Sequence, residues 1–282
     1  MHESPNARIE SLAALAEDAG ARILAIRGEG AEVELKHDRS PVTRADREAE
    51  ALILDGLDRL MTDGVLPRVP VVAEERVAAE GAPRVGGAFM LVDALDGTRE
   101  FVRGGSDFTV NIALVSAGTP VLGVVCQPAT GRLLAADGDV AWARSREKGP
   151  APGLTPLPRR HAPAEPPRIV ASRSHRTPET DAFIAAISDR HGAAAPSGCP
   201  VVSVGSSLKF CLLALDEADL YPCLGRTMEW DTAAGDAILR AVGGTSVTLD
   251  GRPLRYGKRP ADDAPFANPS FVAAVGAPPL PG

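Results

Sequence analysis

An apolar run, Ala88-Phe-Met-Leu-Val92, breaks off into Asp93-Ala-Leu-Asp96-Gly-Thr98. The run has the length and character of a buried β-strand. Its end therefore carries two carboxylates, three positions apart, out of a core. Buried like charges do not both stay ionised unless a positive charge sits between them. Gly97 permits a tight turn, and Thr98 brings a hydroxyl and an N–H to the start of a helix. These groups suit a hard metal ion that holds a phosphate. The competing reading is a strand followed by a capped turn, where Asp and Gly are ordinary.

The 282 residues suffice for one large domain or two moderate ones. A net charge of −7 argues against a nucleic-acid polymer or an anionic membrane as the main partner. Aromatic residues make up only 4% of the chain, too few for a base-stacking surface. No apolar run approaches the ~20 residues of a membrane span. Met1-His-Glu-Ser-Pro5 has no signal-peptide character, so a cytoplasmic location is expected. Cys126, Cys199, Cys211 and Cys223 show no metal-binding spacing. Cys126 and Cys211 lie in apolar runs and read as small core residues, without structural disulfides.

Ser4-Pro5 reads as the start of a helix, with apolar residues from Ile9 to Ile26 and an end near Gly28. Glu29 to Ser40 reads as a mobile loop or edge hairpin, and Thr43 to Met61 as a second helix. Val69 to Ala73 is a short strand with Glu74-Glu75 at its end. Strands are expected at 108–115, 121–126, 132–136 and 140–143, with a hairpin turn at Asp137-Gly138. Residues 145–167, rich in proline and charge, separate an N-terminal portion (1–144) from a C-terminal one (145–282). In the second portion, strands are expected at 168–172, 201–204 and 219–221. Helices are expected at 177–190, 207–215 and 232–241. This uneven alternation of strands and helices predicts a layered α/β sandwich.

Acidic residues mark the places where strands stop and helices begin. Glu74 and Glu75 end one strand, Asp93 and Asp96 the next, and Asp231 follows Trp230 at a late helix start. Asp46 lies near the start of the second helix. Each has an ordinary explanation: a Thr43–Asp46 capping box, a solvated strand end, a charge favoured by a helix dipole. Their shared location is where α/β proteins place their sites.

The pattern Asp46…Glu74-Glu75…Asp93-x-x-Asp96-Gly-Thr98…Trp230-Asp231 resembles the lithium-sensitive phosphatase superfamily. That superfamily holds inositol monophosphatases, fructose-1,6-bisphosphatases and 3′(2′),5′-bisphosphate nucleotidases. The segments Ser40 to Asp46, Phe108 to Leu114, Ser172 to His175, Gly205 to Cys211, Asp231 to Gly235 and Asn268 to Phe271 are similar to bacterial CysQ-type nucleotidases. The resemblance covers nearly the whole chain. It implies an α/β fold of the five-layer αβαβα sandwich type. It also implies removal of the 3′-phosphate of adenosine 3′,5′-bisphosphate, a by-product of sulfate activation, and inhibition by lithium. The implied partner is a small phosphorylated substrate, in a monomer or homodimer.

By the same resemblance, Glu74, Asp93 and the Leu95 carbonyl hold one Mg²⁺ ion. Asp93, Asp96 and Asp231 hold a second, and a third, weaker ion is allowed for. Two such ions about 3.5–4 Å apart activate a water and stabilise the departing oxygen. Gly97 and Thr98 present N–H groups to the phosphate, Asp46 and Thr98 orient the attacking water, and Glu75 supports ligands or waters from behind. Ser206, Lys209 and Asp231 contact substrate, with Lys209 serving the second phosphate. Lys209 also has an ordinary reading as an exposed helix residue. His175 receives no catalytic role.

Two positions depart from the pattern. Ala94 replaces a proline, and Cys223 stands where relatives place an arginine, with Arg226 the nearby substitute. Two alternatives therefore stand beside the nucleotidase: a phosphatase for inositol phosphates or fructose 1,6-bisphosphate, and a non-catalytic nucleotide- or metal-sensing module.

Overall fold

A computed structural model describes residues 6–30, 33–35, 41–145, 153–160, 162–192, 197–259 and 263–280. The expected Ser4-Pro5 helix start and residues 36–40 of the expected hairpin lie outside the described residues. Helix α1 (Ala7–Glu29) is capped instead by Asn6, whose side chain accepts the Ile9 N–H at 3.0 Å. The short strands β1 (Val33–Leu35) and β2 (Pro41–Thr43) pair antiparallel. Helix α2 (Arg44–Thr62) begins at Thr43 with the expected capping box, closed by Asp46.

A seven-stranded sheet follows: β3 (Val71–Ala73), β4 (Ala88–Asp96), β5 (Thr109–Ser116), β6 (Thr119–Gln127), β7 (Arg132–Asp137), β8 (Val140–Arg144) and β9 (Thr155–Pro156), hydrogen-bonded in that order. Asp137 stays in its strand and pairs with Val140, so the turn is Gly138-Asp139, one residue beyond expectation. Glu74 and Glu75 do not finish β3. They open helix α3 (Glu74–Glu80), and helix α4 (Thr98–Val102) follows β4.

The second sheet holds β10 (Ile169–Ser172), β11 (Val201–Val204), β12 (Leu220–Cys223), β13 (Thr245–Thr248) and β14 (Phe271–Ala274), in the order β11-β10-β12-β14-β13. Helices α5 (Pro178–His191), α6 (Leu208–Ala214) and α7 (Glu229–Ala241) accompany it. Helix α7 starts three residues earlier than the sequence suggests, so Asp231 is its third residue.

Strand alternation sorts these elements into layers. Met90, Val92, Ile112 and Val124 face α1 and α2. Phe89, Leu91, Ala113 and Val125 face the opposite way, onto Phe210, Ala233 and Ile238 of α6 and α7. The same two helices pack against Val170, Tyr221, Phe271 and Ala273 of the second sheet. That sheet's other face, with Ile169, Ala171, Val272 and Ala274, covers Phe183, Ile184 and Ile187 of α5. The result is five layers, αβαβα. No helix among the described residues is long and apolar enough to cross a membrane.

Candidate metal centre

Asp93 and Asp96 are three positions apart, a spacing that points to opposite faces of a regular strand. The pairing of β4 with β5 shifts between them: Asp93 faces Asn111 and Asp96 faces Thr109, leaving one extra residue on β4. This bulge takes up the odd spacing and returns the two carboxylates to one side. Both line the same cavity, of about 260 Å³. Ala94 and Leu95, the residues between, are buried at 3% exposure. The Leu95 N–H donates to Asp93 Oδ1 at 3.0 Å, which holds the bulge where the sequence lacks a proline.

Gly97 follows with φ 91°, in the left-handed region. A Cβ there would lie 2.7 Å from the Asp107 carbonyl oxygen, so only glycine fits without displacement. The turn delivers Thr98, whose hydroxyl lies 3.0 Å from Asp46 Oδ1 and 3.1 Å from the Leu95 carbonyl. The other oxygen of Asp46 accepts the Thr43 N–H and hydroxyl, each at 2.7 Å. Asp46 therefore caps α2 and reaches the cavity through Thr98.

Glu74, Asp93 and Asp231 each place a carboxylate oxygen within 4.8 Å of the others. They come from the start of α3, the end of β4 and the first turn of α7. Asp96 stands beside this trio in the same cavity. Its Oδ2 accepts the Ser207 hydroxyl at 2.9 Å, and Asn111 Nδ2 donates to that hydroxyl at 2.9 Å. Asp231 Oδ2 accepts the Met228 N–H at 2.8 Å.

Burial, then the negative charges of Glu74, Asp96 and Asp231, pushes the Asp93 carboxyl well above its usual range. Asp231 is pushed well up by burial and by Asp96 and Glu74. Burial also raises Asp96, although Lys209 and the Ser207 hydroxyl oppose the shift. Burial raises Asp46 against its bonds from Thr43 and Thr98. Hard oxygen donors that repel one another across so short a gap match a hard metal cation.

The remaining expected residues divide. Ser206, Lys209 and Gly97 line the cavity with the acids. Lys209 is 6% exposed, which removes the exposed-helix reading. Glu75 lies elsewhere, along a groove with Glu34, Arg47 and Glu50, and is absent from the residues lining the acidic cavity. It takes the second place on α3, and on so short a helix neighbours point to different sides.

Several contributors escape sequence reasoning. Ala73, the residue before α3, has no capping side chain, and Glu50 of α2 supplies one. Its two oxygens accept the Glu75 and Arg76 N–H groups, both at 2.8 Å. Asp107 accepts the Gly205 N–H at 3.2 Å and pairs with Arg173 at 2.8 Å, tying the two halves together at the cavity. Arg99 and Glu100 line the cavity from α4. Glu50 gave no signal in the sequence, because its partners are 25 and 26 residues away.

A profile of the inositol monophosphatase family matches residues 6–273. A 3′(2′),5′-bisphosphate nucleotidase CysQ from Escherichia coli O157:H7 is 36% identical over 270 residues, 95% of this chain and 99% of the relative. The counterpart from Salmonella typhimurium is 37% identical over 269 residues, again 95% and 99% of the two chains. The crystal structure of CysQ from Bacteroides thetaiotaomicron superposes with a TM-score of 0.73 at 35% identity, covering 94% of this chain and 97% of that one. An IMPase from Thermotoga maritima, 23% identical, shares the fold with a TM-score of 0.68 over 94% and 90%. The match to these proteins runs over nearly the whole length, and the chain belongs to the inositol monophosphatase family.

Proposed function

We propose that this chain is a Mg²⁺-dependent phosphomonoester hydrolase that removes the 3′-phosphate of adenosine 3′,5′-bisphosphate, giving AMP and inorganic phosphate. The observation that carries the reading is the approach of Glu74, Asp93 and Asp231 to within 4.8 Å from three separate elements. Glu74, Asp93 and the Leu95 carbonyl would hold one ion, and Asp93, Asp96 and Asp231 the other. Bound there, Mg²⁺ would neutralise the phosphate, acidify a water and stabilise the departing alkoxide.

The chain's own groups supply position. The Thr98 hydroxyl has one hydrogen, and donation to Asp46 leaves its lone pairs free to accept from a water. That water then presents its own lone pair to phosphorus. The Gly97 and Thr98 N–H groups are available to the phosphate oxygens. A bond forms between water oxygen and phosphorus, the bond to the ribose oxygen breaks, and the released alkoxide takes a proton. No carboxylate serves as nucleophile, because each is committed to a cation or a cap. Most of this machinery lies in residues 1–144, while 145–282 supply Asp231, Ser206 and Lys209; this division of labour is part of the same proposal.

The test is phosphate release with Mg²⁺ from adenosine 3′,5′-bisphosphate, inositol 1-phosphate and fructose 1,6-bisphosphate. The nucleotide is expected to give the highest kcat/KM, with inhibition by Li⁺. Equal or faster turnover of inositol 1-phosphate defeats the nucleotidase assignment, and no turnover of any substrate favours a sensing role.

A further inference from the structure

The cavity has an acidic floor and a wall that must face the rest of the substrate. Three basic side chains line it: Lys209, Arg99 and Arg226. Lys209 has little charge to spare. It is 6% exposed, its ammonium donates to the Ser206 carbonyl, and it lies 5.3 Å from the centre of the Tyr221 ring. The carboxylates of Asp96, Glu100 and Asp231 all act on it. Glu100, equally buried, is held by the Ser174 hydroxyl and adds a negative charge to the same wall. Cys223 contributes a buried thiol that burial keeps protonated. Desolvation first, and then the charge of Arg99, lowers the pKa of His175, so its ring is uncharged at neutral pH. The inner wall therefore offers no net positive charge to a second phosphoryl group.

The two arginines differ from Lys209 in this respect. Arg99 is the second residue of α4, is exposed, and has no carboxylate partner among the described residues. Arg226 lies between β12 and α7, with its side chain 59% exposed. Its one carboxylate partner among the described residues is Asp263, 38% exposed. An exposed pair of this kind is weak and readily exchanged. A phosphoryl group offers a guanidinium a stronger, two-pronged contact. Arg99 follows the last strand residue of the first sheet's acidic turn, and Arg226 follows β12 of the second sheet. They reach one cavity from different sheets.

We infer that Arg99 and Arg226 clamp the second phosphoryl group of a doubly phosphorylated substrate, with Asp263 as the resting partner that Arg226 leaves. The clamp rests on the hydrolase reading above and assigns its substrate preference to two residues.

The experiment compares adenosine 3′,5′-bisphosphate with adenosine 3′-monophosphate, which differ only in the second phosphoryl group. Steady-state kinetics with Mg²⁺ are measured for the wild type, Arg99→Gln, Arg226→Gln, the double variant, Arg226→Lys and Asp263→Asn. Each single glutamine variant should lower the bisphosphate-to-monophosphate ratio of kcat/KM about tenfold, and the double variant about a hundredfold. The change should lie in KM for the bisphosphate, with kcat nearly constant. Arg226→Lys should recover part of the loss, and Asp263→Asn should lower KM for the bisphosphate two- to threefold, on the order expected for releasing an exposed ion pair. A double variant that keeps the wild-type ratio, or that loses both substrates equally, overturns the clamp alone. A wild type with no preference for the bisphosphate overturns the nucleotidase reading and the clamp with it.

Discussion

Asp93 is 3% exposed and shares its surroundings with Glu74, Asp96 and Asp231. Without a cation, burial and the charges of Glu74, Asp96 and Asp231 push its carboxyl well above the unfolded value. The sign follows: a raised carboxyl contributes most below its unfolded pKa, and that stability is lost as pH rises through the folded one. Asp93→Asn removes the charge and keeps the shape. It should raise the Tm of the protein in chelator at pH 7.5 and abolish the increase in Tm that Mg²⁺ gives the wild type. Turnover should fall by at least about 100-fold, because even groups behind a metal ligand cost 10–100-fold when lost. A variant with wild-type turnover, or one whose Tm still rises with Mg²⁺, contradicts the coordination assigned here. Circular dichroism checks that the fold is retained.

Helix α3 is seven residues long and begins with Glu74. So short a helix is marginal alone, and Ala73 provides no cap. Glu50, reaching from α2, accepts the Glu75 and Arg76 N–H groups and so holds the first turn, which carries Glu74. Glu50→Ala should destabilise the protein by about 1–2 kcal/mol in urea unfolding. It should also weaken Mg²⁺ activation severalfold, read as a higher Mg²⁺ concentration for half-maximal rate, while Glu50→Gln retains one of the two caps and falls between. Unchanged Mg²⁺ dependence in Glu50→Ala would separate the cap from the centre. Elements with their own signals were legible in the chain: α2 with its Thr43–Asp46 box, α5 with Thr177-Pro178, and β4 with its apolar run. Helix α3 was not, because its start is fixed by a carboxylate from another helix.

Across the whole molecule, α6 and α7 form the layer between the two sheets, and their fit is close. A Cβ at Gly123 of β6 would lie 2.3 Å from the Ala234 carbonyl of α7, and one at Gly235 would lie 2.6 Å from Phe210. That approach carries Asp231 to Glu74 and Asp93. The second sheet is braced at Asp219, buried at 1% exposure, where Arg168 Nε donates at 2.8 Å and Arg160 at 2.9 Å. Burial pushes this carboxyl up, but the hydrogen bonds from Arg168 and Arg160 prevail and bring it from 3.8 to about 2. A depressed carboxyl stabilises above its unfolded pKa and loses that contribution as pH falls through the folded one. Wild-type stability should therefore drop by about 2 kcal/mol between pH 4 and pH 2 from this group alone. Asp219→Asn should be less stable at pH 7, with the gap to wild type narrowing towards pH 2. A gap that is constant with pH would show that the ion pairs do not set it.

The chain by itself determined most strands, most helices and the layered class, because alternation, capping and turn chemistry act over a few neighbouring residues. Only the tertiary structure decided that the bulge turns Asp93 and Asp96 to one side, that Glu50 of α2 caps α3, and that Lys209 is buried among acids. Those outcomes depend on contacts between residues distant in the chain, and short-range patterns carry no record of which distant groups will share a dielectric.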